Sequence, residues 1–308
     1  MAKTVLSYGG TGVQGGPMAR AFAAAGWQTR TITRNPDSDA ANALRETGIE
    51  VVQGNLSEPA SLATAHKGVD VVALLVPFFG PPTMDRAALM QNAVNAAAAA
   101  GVERIVWNAS GPMPEQQFGN PMIDAPHALQ SILAGAGVPW VTVVPSAYME
   151  NLMGPWTAGG VRDADEIAYP LAEGNHLGWI STGDMAALMV AAAAQPDVEN
   201  RIFRVNGPGY LSGPQMAEAF SQGLGREITW RELTPREFGN QVGAVMGKEA
   251  GDGLAMNYAF IAEHHDTIMP DHDMDAVLAQ LPVTLTPLAD WVRAHAFAFA
   301  KAEAPSEA

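Results

Sequence analysis

Thr4-Val5-Leu6-Ser7-Tyr8-Gly9-Gly10-Thr11-Gly12-Val13-Gln14-Gly15 stands at the head of the chain: an apolar run that ends in glycines spaced G-x-x-G-x-x-G. The first glycine of such a pattern permits a tight strand-to-helix turn. The second lets backbone approach a pyrophosphate, and the third lets the helix pack closely on the sheet. The helix that follows aims N–H donors and the positive end of its dipole at phosphates. The stretch therefore predicts a dinucleotide-binding turn in which Gly9, Thr11, Gly12, Val13, Gln14 and Gly15 meet the cofactor.

Outward from that turn, short β-branched runs alternate with alanine-rich amphipathic runs up to about residue 145, the rhythm of a parallel sheet with crossover helices. Strands are expected at 4–8, 28–33, 50–53, 69–76, 104–108 and 140–144, with helices near 13–26, 38–47, 58–66, 83–100 and 122–136. Glycines at 26, 48, 68, 101 and 137 punctuate the helix ends. Beyond Pro145 a Gly-, Pro- and Trp-bearing stretch breaks the rhythm. Helices are then expected at 183–195, 213–223, 234–246, 251–264 and 286–301, with strands at 201–205 and 227–232. The fold class is α/β: a Rossmann doubly wound parallel sheet over residues 1–150, with a smaller mixed α/β substrate lobe over 151–308.

Composition narrows the function classes. The 308 residues are 48% hydrophobic, enough for a full core, and contain no cysteine, which excludes disulfides, thiolate metal sites and a cysteine nucleophile. Seventeen basic residues against 32 acids leave a net charge of −15, which repels a nucleic-acid backbone. The start is too quickly broken by glycine for a secretory signal, and no run approaches a membrane span. A cytoplasmic protein acting on a small molecule is expected, as monomer or homodimer.

The end of the second strand discriminates between NAD and NADP. A carboxylate there binds a ribose 2′-hydroxyl, whereas an arginine accommodates a 2′-phosphate. The chain reads Thr31-Ile32-Thr33-Arg34-Asn35-Pro36, with no acid before Asp37. Arg34 is the expected 2′-phosphate ligand and NADP(H) the preferred cofactor, with NAD(H) as the alternative. Asn55, after the third strand, is expected beside the adenine. Val76, Pro77 and Phe78, after the fourth, are expected along the cofactor toward the nicotinamide; Phe78 and Phe79 equally suit plain loop hydrophobes.

These residues resemble the NmrA-like branch of the atypical short-chain dehydrogenases. The resemblance rests on the glycine turn, Thr33-Arg34-Asn35-Pro36, Gly54-Asn55 with Ser61-Leu62, Gly101 to Val106, Gly137 to Trp140, and Pro145-Ser146-Ala147-Tyr148-Met149-Glu150-Asn151. Ile180 to Ala186 and Val205-Asn206-Gly207-Pro208 continue it. It implies NADP(H) on a Rossmann domain, a small C-terminal lobe closing a substrate cleft, and either reductase activity or cofactor sensing. Short-chain dehydrogenases generally place a serine after the fifth strand and a tyrosine and lysine four apart on the next helix. Here Ser110 holds the serine position, but the pair reads Ile123 and His127.

Ile123 cannot donate a proton. His127, where the lysine would stand over the nicotinamide ribose, is the candidate acid, an imidazole being a common general acid. A local hydrogen bond in the first turn of its helix is the alternative role. Ser110 is a candidate for orienting a carbonyl oxygen, or for simply starting a loop. Tyr148, just past the sixth strand, is expected to face cofactor and substrate or to pack its ring, and Asn151 follows the same logic. Glu263-His264-His265-Asp266 and Asp271-His272-Asp273 match no familiar metal spacing and read as a solvated loop. Met149, Met153, Met246 and Met256 suit either an apolar cleft or core filling.

Overall fold

The computed structural model describes residues 2–77, 80 and 83–301, which form two compact units. The first comprises Met1–Pro145, Thr182–Val205 and Asp273–Thr284; the second comprises Ser146–Ser181, Asn206–His272 and Leu285–Ala308.

In the first unit the expected alternation is realised as β1 (Thr4–Tyr8), α1 (Gly15–Ala24), β2 (Gln28–Thr33), α2 (Asp39–Glu46), β3 (Glu50–Gln53), α3 (Pro59–Ala65), β4 (Val71–Leu75), α4 (Arg86–Ala100), β5 (Arg104–Asn108), α5 (Pro121–Ala134) and β6 (Trp140–Pro145). All pair parallel, and with the strand Arg201–Val205 they make a seven-stranded sheet in which the order from one edge is Arg201–Val205, β6, β5, β4, β1, β2, β3. The order reverses between β1 and β4. Open α/β sheets bind their ligands outside the carboxyl ends of the strands at such a switch point. Strand cores read as near-continuous apolar runs, as buried parallel strands should: Val71, Val72, Ala73 and Leu74 are each at most 1% exposed.

A single cut at residue 150 does not describe the molecule. Arg201–Val205, expected in the second lobe, lies parallel on β6 in the first unit's sheet, with Arg201 opposite Val141 and Val205 opposite Pro145. The preceding helix Thr182–Ala194 packs on α1 and against β4, β5 and β6. Arg104, at the start of β5 and 7% exposed, fastens this returning segment by donating to the carbonyl oxygens of Ala192 (2.9 Å) and Pro196 (3.2 Å) and to the Glu199 carboxylate (3.1 Å). Such non-local pairing leaves no trace in local periodicity, which explains the misplaced boundary.

The second unit carries a three-stranded sheet (Tyr210–Leu211, Leu177–Ile180, Ala147–Tyr148) and a two-stranded one (Thr229–Glu232, Glu166–Tyr169). Four of these strands and the helix Pro155–Ala164 fall in stretches without a legible period. The expected 286–301 helix is split into Leu288–Ala294 and a short 3-10 turn, Ala296–Phe299. Helices Pro235–Met246 and Lys248–Glu263 form a hairpin so close that a Cβ at Gly251 would collide with the Gly239 carbonyl and the Gly243 backbone. Tyr169 seats the hairpin, its ring 5.2 Å from Phe238 and 5.8 Å from Tyr258. Met149 is core, whereas Met246 and Met256 stand at the surface.

Candidate functional site

β1 ends at Tyr8, and Gly9 follows in the left-handed region (φ 71°), which turns the chain sharply. Gly12 N–H donates to the Gly9 carbonyl at 2.8 Å, and Gly16 N–H to that of Gly12 at 2.8 Å. A Cβ at Gly15 would overlap the Gly9 carbonyl, so only glycine allows α1 to start this close to β1. Thr31 on β2 braces the turn: its hydroxyl donates to the Ser7 carbonyl (2.7 Å) and accepts from Gly10 N–H (3.2 Å). Among the described residues, the amides of Thr11, Val13, Gln14 and Gly15 find no acceptor, and α1 has no side-chain cap. A fixed set of outward N–H groups at a helix N-terminus fits a pyrophosphate.

The loop after β2 is tied to itself. Asn35 N–H donates to the Thr33 hydroxyl (3.3 Å), Asp37 N–H to Asn35 Oδ1 (3.2 Å), and Arg45 reaches back to the Pro36 carbonyl (2.7 Å). Arg34 is exposed and makes no hydrogen bond or ion pair among the described residues. A rigid loop that presents an unspent guanidinium at this strand end fits a 2′-phosphate.

The remaining cofactor candidates divide. Asn55 spends its side chain locally: Oδ1 accepts from Ser57 N–H (3.1 Å) and Nδ2 donates to Glu58 (3.1 Å), an Asx turn that starts α3. Val76 is buried and Pro77 exposed, while Phe78 and Phe79 lie outside the described residues.

At the end of β5 the buried Asn108 accepts from Ser110 N–H (2.8 Å) and donates to Gln14 Oε1 (3.1 Å). Ser110 stands at φ 65°, one of three non-glycine residues described in the left-handed region. The Asp124 carboxylate accepts from Phe118 N–H at 3.0 Å, fixing the loop that leads into α5. His127 falls in the second turn of α5, past the helix-interior Pro126, rather than in its first turn. Its Nε2 is buried and makes no hydrogen bond among the described residues, while Ser131 donates to its backbone carbonyl. Ile123, where the family pattern has tyrosine, is 5% exposed and packs into the core. Asn108 was missed by sequence reasoning; its position at a strand end, two residues before Ser110, is the signal that could have found it.

Tyr148 belongs to the second unit, on the strand Ala147–Tyr148, and is 5% exposed. The His- and Asp-rich segment is in the same unit as far as His272, while Asp273 belongs to the first. His264 ends the helix Lys248–Glu263, Asp266 faces solvent, and Asp271 accepts from Asn206 Nδ2 at 3.2 Å. No group of three metal-ligating side chains gathers among the described residues. None of the described helices is long and apolar enough to cross a membrane.

A seven-stranded parallel sheet with a glycine cradle at its first turn defines a dinucleotide-binding Rossmann protein. Residues 1–292 match the model of the NmrA-like family, and the chain belongs to that family. It is 32% identical over 305 residues to the NAD(P)H azoreductase of Xenophilus azovorans, covering 97% of this chain and all of that one. Among solved structures, the NADPH complex of the quinone oxidoreductase QOR2 from Escherichia coli superposes with a TM-score of 0.76 at 22% identity (96% of this chain, 99% of that one). NmrA, a negative transcriptional regulator, in complex with NADP, superposes with a TM-score of 0.74 at 18% identity (95% and 94%).

Proposed function

We propose that this protein is an NADPH-dependent oxidoreductase that reduces a small, apolar, conjugated acceptor of the quinone or enone type. The observation that carries the reading is the uncapped N-terminus of α1 beside an unpaired Arg34, a surface built for a phosphorylated dinucleotide. The azoreductase relative supports the enzyme class, since reduction of an azo bond also delivers hydride to a conjugated, uncharged group.

NADPH, when bound, supplies the hydride. The chain's own residues do the rest. The glycine turn and α1 hold the pyrophosphate, Arg34 holds the 2′-phosphate, and Val76 and Pro77 border the cofactor. Ser110, whose hydroxyl has no partner among the described residues, hydrogen-bonds the acceptor oxygen. His127 Nε2 carries the proton or polarises the same group. Asn55 contributes by shaping its loop, and Tyr148 is held as a substrate contact. The setting is taken as cytoplasmic, in keeping with a cysteine-free composition.

Titration with NADPH and NADH, followed at 340 nm with quinones, enones, aldehydes, azo dyes and imines, tests the reading. Oxidation of NADPH by a quinone or enone, lowered by Ser110→Ala and by His127→Ala and tested further with Tyr148→Phe, is the expected result. Tight NADPH binding with no turnover favours a second reading, a cofactor-sensing regulator. That reading draws on Ile123 and His127 standing in place of a tyrosine–lysine pair and on the likeness to NmrA.

A further inference from the structure

Asn108 holds two parts of the candidate site with one side chain. Its Oδ1 accepts the Ser110 N–H at 2.8 Å, and its Nδ2 donates to Gln14 Oε1 at 3.1 Å. Gln14 is the residue immediately before α1, inside the turn whose amides await a pyrophosphate. β4 separates β1 from β5 in the sheet, so this carboxamide bridges two strand ends that share no backbone ladder. Ser110 meanwhile adopts a left-handed conformation (φ 65°), which is strained for an L-residue and needs an outside hold. The hydrogen bond to Asn108, which is 3% exposed, supplies that hold.

We propose that Asn108 is a positioning residue that couples occupancy of the glycine turn to the placement of Ser110. The proposal rests on the reading of Ser110 as the group that orients the acceptor. When a dinucleotide settles on the turn, Gln14 is fixed, Gln14 fixes Asn108, and Asn108 locks the Ser110 backbone. Ser110 is then set for an acceptor only when NADPH is in place. Asparagine is required because both a donor and an acceptor are used. Aspartate keeps the acceptor for Ser110 and meets Gln14 after the Gln14 amide turns over; alanine keeps neither.

Amide hydrogen exchange at Ser110, with and without NADPH, tests this without any acceptor. In the wild type NADPH slows Ser110 exchange about tenfold or more. With NADPH raised to saturate each variant, Gln14→Ala loses that protection, whereas Gln14→Glu, which keeps the acceptor for Asn108, retains it. In Asn108→Ala the amide exchanges fast whether or not NADPH is present, and Asn108→Asp restores slow exchange. In NADPH affinity the Gln14→Ala, Asn108→Ala double variant is no weaker than the weaker single variant, because both remove one link. Undiminished protection in Gln14→Ala, or losses in affinity that multiply, would overturn the coupling. Turnover is read separately: Asn108→Ala lowers kcat about tenfold at saturating NADPH, and Asn108→Asp recovers most of it. If no acceptor oxidises NADPH, the oxidoreductase reading falls, while the exchange and affinity data still decide the coupling.

Discussion

Five helices of the first unit, α1 to α5, begin after a strand of one parallel sheet, and their N-termini are finished in two ways: α2, α4 and α5 carry a side-chain cap, whereas α1 and α3, which opens on Pro59, carry none. α2 is closed by Ser38, whose hydroxyl accepts from Ala41 N–H (3.3 Å), α4 by Asp85 accepting from Ala88 N–H (3.0 Å), and α5 by Asn120 accepting from Met122 N–H (3.0 Å). α1 has Gln14 at that position, turned sideways to Asn108, and no side-chain cap. Helices whose orphan donors are satisfied from within are structural. A helix that leaves them open at a switch point keeps them for an anion. What sets α1 apart is the combination of a cap withheld and a place at the switch point, since the uncapped α3 starts after the edge strand β3.

The comparison can be broken most forcefully at Gly15. Gly15→Ala sets a Cβ against the Gly9 carbonyl, so NADPH affinity should fall by about 100-fold or more, read by calorimetric titration beside a circular-dichroism check of folding. Arg34→Ala sharpens it: NADPH should weaken by about 10–100-fold while NADH is unchanged, and equal losses for both would place the phosphate contact elsewhere. Asp85→Ala asks the converse question. It should cost about 1 kcal/mol of stability by urea denaturation and leave NADPH affinity intact, because that terminus serves the fold alone.

The smallest effect concerns the strand that delivers the turn. The Tyr8 hydroxyl lies 3.4 Å from His66 Nε2, and His66 Nδ1 lies 2.8 Å from the Leu62 carbonyl. Burial, aided by the nearby Arg30 charge, holds the His66 imidazole below its ordinary pKa, although the Leu62 carbonyl pulls the other way. The unfolded chain thus takes up this proton at about pH 6.5 and the folded chain only at lower pH, so stability from His66 is full above that point and falls as pH drops through it. Urea midpoints at pH 7.5 and 5.5 should differ more for the wild type than for His66→Gln.

The Gly9–Gly15 turn was legible because its cause is local: each glycine answers a steric demand of its immediate neighbours. β1, β2, β3 and β5 match their expected bounds residue for residue, β1 and β5 as buried strands with apolar centres and β2 and β3 as short runs rich in β-branched residues. Arg34 could be read because it stands beside its strand end with no acid before it. Asn55 was legible as a position but not as a role, as the Asx turn that occupies its amide depends on how the chain folds back at Ser57 and Glu58. In the second unit, Trp179 and Tyr169 pack together from strands with no legible alternation, so local pattern had nothing to report there.

By itself, then, the sequence determined a dinucleotide-binding α/β protein with an arginine just past the end of its second strand, because strand, turn and helix chemistry act over a few residues. Tertiary structure alone decided that Arg201–Val205 completes the sheet, that His127 presents a buried nitrogen without a partner among the described residues, and that Asn108 joins Gln14 to Ser110. The strand pairing joins residues 60 positions apart and the Asn108–Gln14 hydrogen bond spans 94, while the state of His127 depends on what surrounds a side chain in space. No local propensity encodes them.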